Sequence, residues 1–465
     1  MRQVVNLIRR RGVPPTTLFP RLAATYGDLV RIRLGTEQIY LASRPDMVRQ
    51  VLVTDGRITH KGRGLEVARL LLGNGLLTAE GEEHMRNRRL VAPAFHHEHV
   101  AGYAQVMAQS ARDTEADWRR RATADGASAP VVDMSGEMAA LTLRIAGLTL
   151  FGTDLTDRTS QVGHSLSEAL EAFGQFQVPG ATWLLRVPSP WSRRMNSARD
   201  SLHGVVDELI EQHRADPDRF AGDVLSLLLS SRDSDGGTLA HQQVRDEVLT
   251  LLLAGHETTA NLLTWSWFLL DAYPEAARAL HAELDALPGP PDAADGFVPA
   301  LPVTRAVLAE TLRLYPPAWT VARRYLQGTR LAGYDVPERA LAVTSQWVVH
   351  RDARWWGDDA ADFRPDRWLR DGSAADDSGC PHFDERAPGQ PRYAFFPFGG
   401  GRRLCLGEEF AWTEAALVLA TLARSWSPFL VADQVVDVQP LVTLRPRFGM
   451  RMALRQRQPG RPQDR

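Results

Sequence analysis

A long apolar segment in the middle of the chain most restricts what it can fold into. Residues 241–272 repeat apolar side chains at spacings of three and four, the pattern of a helix, and residues 248–270 are the best candidate for a membrane span. The centre of that stretch contains His256, Glu257 and Asn261. Because burying these groups in lipid costs several kcal/mol, we predict a long helix buried in protein and no membrane span.

The remaining pattern predicts a mainly α protein with a minor β-sheet region. Alternating apolar residues at 29–42, around Gly35-Thr36, predict a hairpin. Further helices are predicted at 99–122, 134–151, 160–176, 199–214, 274–287, 303–315 and 407–424. The β-rich parts are expected at about 29–53, 319–346 and 426–455, and an exposed acidic loop at 371–391. Because no repeat or Gly/Ser linker divides the chain, residues 1–465 are predicted to form a single domain.

The composition excludes several classes of protein. A net charge of -2 argues against a nucleic-acid partner, and 44% hydrophobic residues with 12 Trp argue against disorder. Two cysteines, Cys380 and Cys405, exclude a disulfide scaffold and a cysteine-rich metal site, although one disulfide between them stays open. The first apolar stretch is too short for a signal peptide, so we expect a cytoplasmic protein.

One cysteine lies in a loop of unusual composition. Residues 396–407 read Phe-Pro-Phe-Gly-Gly-Gly-Arg-Arg-Leu-Cys-Leu-Gly. The three consecutive glycines predict positive φ angles or a close approach to another group. A helix is predicted to begin just after Cys405, and its dipole would favour a thiolate there. A lone thiolate on such a loop fits the axial ligand of a haem iron, whereas an isolated cysteine is more often a buried structural residue.

This segment closely resembles the haem-binding signature of the cytochrome P-450 family, the haem-thiolate monooxygenases. The residues at the family spacing are Phe398, Gly401, Arg403, Cys405 and Gly407. The resemblance makes Cys405 the metal ligand, Phe398 a ring near its sulfur and Arg403 a partner of a haem propionate. It implies the cytochrome P-450 fold, with the haem between the long central helix and the helix that follows the cysteine loop.

A charged motif on a predicted helix supports the same resemblance. Glu310 and Arg313 are three residues apart on one face and can form an ion pair, which on a surface would be worth little. They match the family's Glu-x-x-Arg helix, and residues 363–368 match the segment that supplies its third partner, here Arg367. The resemblance therefore implies a buried structural triad that supports the core behind the cysteine loop.

The central helix contains another family motif. Residues 254–259 read Ala-Gly-His-Glu-Thr-Thr. Threonines in a helix often only bond back to the preceding turn. The segment resembles the family's oxygen-activation segment, which implies three catalytic roles. Gly255 would leave room for dioxygen, Thr258 would hydrogen-bond it and relay protons, and Glu257 would connect that relay to solvent.

The same resemblance assigns basic side chains to the haem propionates. His84 and Arg88 are four residues apart on one helix face and match a family pair that begins with Trp or His. Arg323 occupies the place of a third propionate arginine. The adjacent Arg324 would take that place if the register shifted by one residue.

The resemblance implies a monooxygenase that inserts one oxygen atom from O2 into an apolar, mid-sized substrate by hydroxylation or epoxidation. A terpenoid or polyketide of secondary metabolism is the first expectation for the substrate, and a fatty acid the second. The cofactor would be heme b. With no flavin or iron–sulfur segment in the chain, electrons would come from NAD(P)H through a ferredoxin reductase and a ferredoxin. We expect the protein to be a monomer. The alternatives are a haem-thiolate peroxygenase or isomerase and a non-catalytic haem or small-molecule binding protein.

Two surfaces follow from the family topology. The expected docking surface for an acidic ferredoxin carries positive charge on the thiolate side, at Arg86, Arg89, Arg392 and Arg402. The expected substrate pocket is apolar and aromatic, with lining residues Leu70, Leu71, Phe173, Phe176, Trp183, Leu253, Ala254, Trp319, Val321 and Phe448.

Overall fold

Helices make up most of the chain in the computed structural model. It describes residues 13–124, 129–158, 165, 190–220, 222–231, 239–289, 291, 298, 300–370, 382–385 and 389–457. In chain order the α-helices are α1 (Pro15–Tyr26), α2 (Pro45–Arg49), α3 (Arg63–Leu72), α4 (Gly81–Val91), α5 (His97–Ala124), α6 (Met134–Phe151), α7 (Pro190–Ala215), α8 (Val224–Ser230), α9 (His241–Ala272), α10 (Pro274–Asp285), α11 (Pro302–Leu314), α12 (Gln346–Val349), α13 (Ala353–Trp356) and α14 (Glu408–Ser425). The helices predicted from apolar spacing are confirmed, apart from 160–176, which lies outside the described residues.

The strands are short and form several small sheets. They are β1 (Leu29–Leu34), β2 (Glu37–Ala42), β3 (Thr59–Lys61), β4 (Val131–Asp133), β5 (Val321–Tyr325), β6 (Thr329–Leu331), β7 (Tyr334–Val336), β8 (Leu341–Thr344), β9 (Leu369–Arg370), β10 (His382–Phe383), β11 (Phe429–Leu430), β12 (Val438–Pro440), β13 (Leu444–Pro446) and β14 (Arg451–Ala453). The largest sheet has five strands in the order β1-β2-β8-β5-β3. The mainly α fold class with a minor β region is confirmed.

The predicted hairpin forms, but the β-rich part that was expected to reach residue 53 ends earlier. Strands β1 and β2 pair antiparallel, with Leu34 opposite Glu37 across the two-residue turn. The chain then turns helical, through α2 and a π-helix at Gln50–Thr54. Pro45 at the first helical position and Asp46 in the first turn explain this change, because both favour the start of a helix.

The central helix α9 has 32 residues and is about 48 Å long. It is apolar on most of its circumference, and it packs against α6, α7, α11 and α14. Its buried apolar residues, Trp267 among them, belong to a core cluster that also includes Trp118 and Trp426. Within the described parts of the chain, no helix combines the length and apolarity that a membrane crossing requires. The single domain over residues 1–465 stays a prediction.

The expected loop at 371–391 is partly structured. Most of it, including Cys380, lies outside the described residues. Strand β10 pairs with β9, and the ring of Phe383 lies 5.8 Å from the ring of Trp412. Arg305 stacks over the same Phe383 ring at 4.3 Å. This part is therefore attached to the core rather than exposed, because an aromatic side chain interrupts its otherwise polar sequence.

The carboxylate of Glu310 joins α11 to the segment that follows α13. Arg313 donates to both of its oxygens at 2.7 and 2.8 Å, and Arg367 Nε donates to Oε1 at 2.9 Å. The Trp368 indole and the backbone N–H of Arg364 complete the set, at 2.8 and 3.0 Å. Glu310 and Arg313 are fully buried, so these charges are neutralised inside the core. The geometry agrees with the structural triad that the resemblance implies.

Replacing Arg313 with Met should lower the free energy of unfolding by about 3–5 kcal/mol, because removing one partner leaves buried charge uncompensated. Denaturant unfolding of the haem-loaded protein measures this. The matched control is Arg364→Ala, since this half-exposed side chain pairs with Asp359 and Asp366 at the surface and should change stability by less than about 1 kcal/mol. Equal losses in the two variants would contradict the triad's role.

Candidate active site

The cysteine loop is shaped by the glycines that the sequence singled out. Gly399 and Gly401 have φ angles of 79° and 69°, in the left-handed region. A Cβ on Gly401 would lie 2.2 Å from the carbonyl oxygen of Leu52, so no larger residue fits there. The backbone N–H of Cys405 donates to the carbonyl of Phe398 at 3.0 Å and closes the loop. The predicted close approach is therefore confirmed.

The thiol of Cys405 lies among protein atoms, yet its side chain keeps accessible surface. Helix α14 begins at Glu408, as expected, but burial raises the pKa of Cys405 to about 11. The backbone N–H of Gly407 lowers this pKa, and the charge of Glu408 raises it. The protein atoms around the sulfur therefore work against a thiolate at this position. A metal ion bound to the sulfur would remove the proton outright.

Two cations lie directly opposite each other next to this loop. In the antiparallel pairing of β3 and β5, Lys61 faces Arg323, and both side chains are buried. Glu80 is the adjacent acid. One of its oxygens accepts the backbone N–H of Lys61 at 2.6 Å, and the other accepts from Arg403. The charge of Glu80 therefore acts on all three cations, and Glu247 acts on Lys61 as well, although like charges directly across a sheet destabilise it.

The remaining donors of this cluster are not saturated by protein. Nη1 of Arg403 is buried and has no hydrogen-bond partner in the described part of the chain. Arg323 donates to the carbonyl of Ala322 at 3.1 Å, and burial lowers its pKa to about 10. Lys61 donates to the carbonyls of Leu76 and Ala79, and burial lowers its pKa to about 7. Such a cluster fits a ligand with two carboxylates, as the propionates of a haem provide.

Helix α4 places the predicted pair, His84 and Arg88, on the same side. His84 is buried, and its pKa is lowered to about 3, first by burial and then by the charge of Lys61 and three arginines. It is therefore a neutral imidazole. Arg88 donates to the carbonyl of Leu404 at 2.8 Å, one residue before the cysteine. The two residues thus link α4 to the cation cluster and to the cysteine loop.

The structure distinguishes Arg323 from Arg324. Successive residues of a strand point to opposite faces, and only Arg323 points toward Lys61 and Arg403. Arg324 forms ion pairs on the other face with Glu66 and Glu37, at 2.5 and 3.1 Å. Its charge is already neutralised, so the geometry favours Arg323 as the residue available to a propionate.

The open side of α9 carries Ala254 and Thr258, which lie one turn apart and are accessible. Thr258 Oγ1 donates to the Ala254 carbonyl at 2.7 Å, the back-bond expected of a helical threonine. A Cβ on Gly255 would contact Leu150 at 3.6 Å and Ala146 at 3.9 Å, both on α6. The side of Gly255 that lacks a side chain thus faces α6, so its role in making room for dioxygen stays a prediction.

Comparison with known proteins identifies the family. The family model described as cytochrome P-450 matches residues 4–448. The chain belongs to the cytochrome P-450 family. It is 40% identical to cyclooctatin synthase of Streptomyces melanosporofaciens, over 90% of this chain and 87% of that protein. It is 36% identical to pentalenene oxygenase of Streptomyces avermitilis, over 94% of this chain and 92% of that protein. Cyclooctat-9-en-7-ol 5-monooxygenase of Streptomyces melanosporofaciens is also 36% identical, over 86% and 82%.

Membership makes the chain a cytochrome P-450 monooxygenase, which uses a haem with a thiolate ligand and O2. The donor set described above fits that group. Cys405 would hold the iron, and Arg323, Arg403, Arg88 and His84 would face the propionates.

The residues predicted to line the P-450 pocket are found in different surroundings. Leu71 and Leu253 are buried, Val321 is half-buried on β5, and Ala254 is accessible. Trp319 is buried, packs 6.1 Å from Phe19 and donates its indole N–H to the carbonyl of Leu441. The exposed fractions of Leu70 and Phe448 are 48% and 66%. Phe173, Phe176 and Trp183 lie outside the described residues.

The sequence analysis missed four buried or half-buried polar groups. Lys61 faces Arg323 in the cation cluster, Glu80 accepts from Arg403, and Thr443 contacts Glu257. Glu414 is a fully buried acid on α14, and burial raises its pKa to about 8. Only Glu414 had a sequence signal, because it directly precedes the apolar run 415–420. The other three depend on which elements fold beside them.

Replacing Arg323 with Leu in this P-450 should speed haem loss about tenfold or more, because about 1.4 kcal/mol of charge-assisted binding corresponds to a factor of ten. Transfer of haem to an excess of an apoglobin measures the rate. The matched control is Arg324→Leu, one residue along the same strand, which should lower stability slightly and leave the rate unchanged. The reverse result would assign the propionate to Arg324.

Proposed function

We propose that this P-450 hydroxylates or epoxidises a cyclic terpenoid of mid size. The observation that carries the proposal is its similarity, at 36–40% identity over most of the chain, to three terpenoid-modifying monooxygenases. The residues expected to line the pocket are all apolar, which suits a hydrocarbon skeleton. A fatty acid, whose carboxylate would need a cationic partner there, is the second candidate.

The haem would supply the oxidising chemistry when bound, and the protein would supply position and protons. Thr258 has one hydroxyl hydrogen, which the carbonyl of Ala254 accepts, and its oxygen lone pairs remain able to accept another proton donor. Rotation of that hydroxyl would pass a proton toward the open side of α9. Glu257, whose pKa is raised by burial, would resupply the proton.

The proposed source of electrons is NAD(P)H, through a ferredoxin reductase and a ferredoxin. We therefore propose that the P-450 acts in the cytoplasm, where such partners are reduced. We also propose that it acts as a monomer, since electron transfer from ferredoxin requires no second copy of the chain. A cleft of about 480 Å³ beside the cysteine loop supports a docking site for an acidic protein. Its lining residues include four arginines and one acid, namely Arg57, Arg89, Arg402, Arg403 and Glu82.

Two of the four arginines expected at the docking surface, Arg89 and Arg402, line this cleft. Arg392 is exposed and lies over the ring of Tyr393 at 5.6 Å. Arg86 is only partly exposed. Arg57, which the sequence analysis did not select, is exposed in the cleft and belongs to the proposed surface.

The substrate proposal is tested by titrating the haem-loaded protein with pentalenene, a macrolide and dodecanoic acid, and recording the absorption change as the iron changes spin state. We expect the terpene to give a saturable shift at a concentration at least tenfold lower than the other two, because it fills an apolar pocket without burying a charge. A tighter shift with dodecanoic acid would favour the fatty-acid alternative.

Changing both Arg89 and Arg402 to Glu should slow reduction by ferredoxin at low salt by about tenfold or more, because the attraction that steers the partners becomes repulsion. The dependence of the rate on ionic strength should also weaken. The matched control is Arg278→Glu on α10, an exposed arginine paired with Glu275. An unchanged rate and salt dependence in the double variant would reject this docking surface.

A further inference from the structure

The acid of the central helix, Glu257, is held by a residue that none of the sequence motifs includes. Thr443 lies in the turn between β12 and β13 and is buried. Its hydroxyl is 2.7 Å from Oε1 of Glu257. Asn261, one turn along α9 from Glu257, donates its side-chain N–H to the Glu257 carbonyl at 2.9 Å and to Thr443 Oγ1 at 3.4 Å. The three side chains form one buried hydrogen-bonded group.

The donors in this group decide which oxygen of Glu257 can carry a proton. A hydroxyl has a single hydrogen, and the side-chain N–H of Asn261 can only donate. Thr443 therefore accepts from Asn261 and donates its own hydrogen to Oε1 of Glu257. Oε2 is buried and has no hydrogen-bond partner among the described residues. A proton on this carboxyl must then be bound to Oε2.

The environment of Glu257 favours the neutral form of the acid more strongly than water does. Burial raises the pKa of Glu257, against smaller lowering effects of the Thr443 hydroxyl and the charge of Arg445. Glu257 and Asn261 share the helix face toward β13, whereas Thr258 is rotated from them by about 100° toward the open side.

We propose that Thr443 is a positioning residue for proton delivery, whose hydroxyl fixes Oε1 of Glu257 and leaves Oε2 as the atom that carries the proton. The inference rests on the proposed role of Glu257 in the relay. The step moves a proton alone. It leaves Oε2 toward Thr258, directly or through water, and Glu257 regains a proton from solvent. Without the Thr443 hydroxyl, either oxygen can be protonated and the carboxyl loses its fixed orientation.

The test compares Thr443→Val, which keeps the shape and removes the hydroxyl, with Thr443→Ser, which keeps the hydroxyl. The haem-loaded P-450 is supplied with NAD(P)H, reductase, ferredoxin and pentalenene, or with dodecanoic acid if only that compound shifts the spin state. The fraction of electrons recovered in product and in hydrogen peroxide is measured. We expect Thr443→Val to lower the product fraction at least threefold and to raise peroxide, with unchanged haem content and spin shift. Thr443→Ser should stay within twofold of the unmodified chain.

Two results would overturn the proposal. One is normal coupling in Thr443→Val, and the other is equal loss in Thr443→Ser, which would indicate a packing role for the methyl group. Should Thr443→Val fail to bind haem, Thr443→Ala carries the same expectation. The variant Glu257→Gln distinguishes a failure of the proposed proton relay from a failure of the role proposed for Thr443. If it leaves coupling unchanged, the proposed relay itself is wrong, whereas uncoupling by Glu257→Gln but not by Thr443→Val rejects only the role of Thr443.

Discussion

The arrangement of the active site depends on the buried ion pair between the carboxylate of Glu310 and Arg313. It neutralises Arg313, and Arg313 in turn donates to the carbonyls of His350 and Ala360 at 2.8 and 2.7 Å. His350 accepts the backbone N–H of Phe396 at 3.0 Å, at the start of the cysteine loop. A chain of hydrogen bonds therefore runs from the core of α11 to the loop that presents the thiol. A charge at its origin makes the geometry specific, because a buried ion tolerates few alternative partners.

On the other side of the cysteine loop, the buried positive charges exceed the negative charges that could neutralise them. Lys61, Arg323 and Arg403 are held together without enough acid to neutralise them, and the strand pairing brings two of them face to face. This arrangement costs free energy in the protein alone, and we propose that a ligand with two carboxylates would offset that cost. Arg324 contrasts with these cations, because its charge is neutralised by Glu37 and Glu66.

The central helix separates two tasks along its length and around its circumference. Toward its C-terminal end it packs Trp265 against Tyr315, with stacked rings 4.2 Å apart, and anchors the C-terminal strands through the Trp265 indole and the Leu444 carbonyl. Two to three turns earlier, the same face leaves Ala254 and Thr258 accessible. Glu257 is rotated by about 100° from Thr258 and contacts the C-terminal segment through Thr443. Reactive and structural groups can be neighbours in sequence because each residue of a helix is rotated by about 100° from the last.

The sequence by itself determined the long buried helix, the mainly α fold class and the cysteine loop with its glycines, because these follow from local periodicity and turn chemistry. The triad of Glu310, Arg313 and Arg367 was implied by the resemblance of its motifs to the P-450 family. Only the tertiary structure showed the different surroundings of Arg323 and Arg324, brought Lys61 opposite the first of them, and placed Thr443 against Glu257. Partners distant in sequence become neighbours through strand register and helix packing. The rise in the pKa of Cys405, caused by the protein atoms around its sulfur, is another feature that composition and spacing do not reveal.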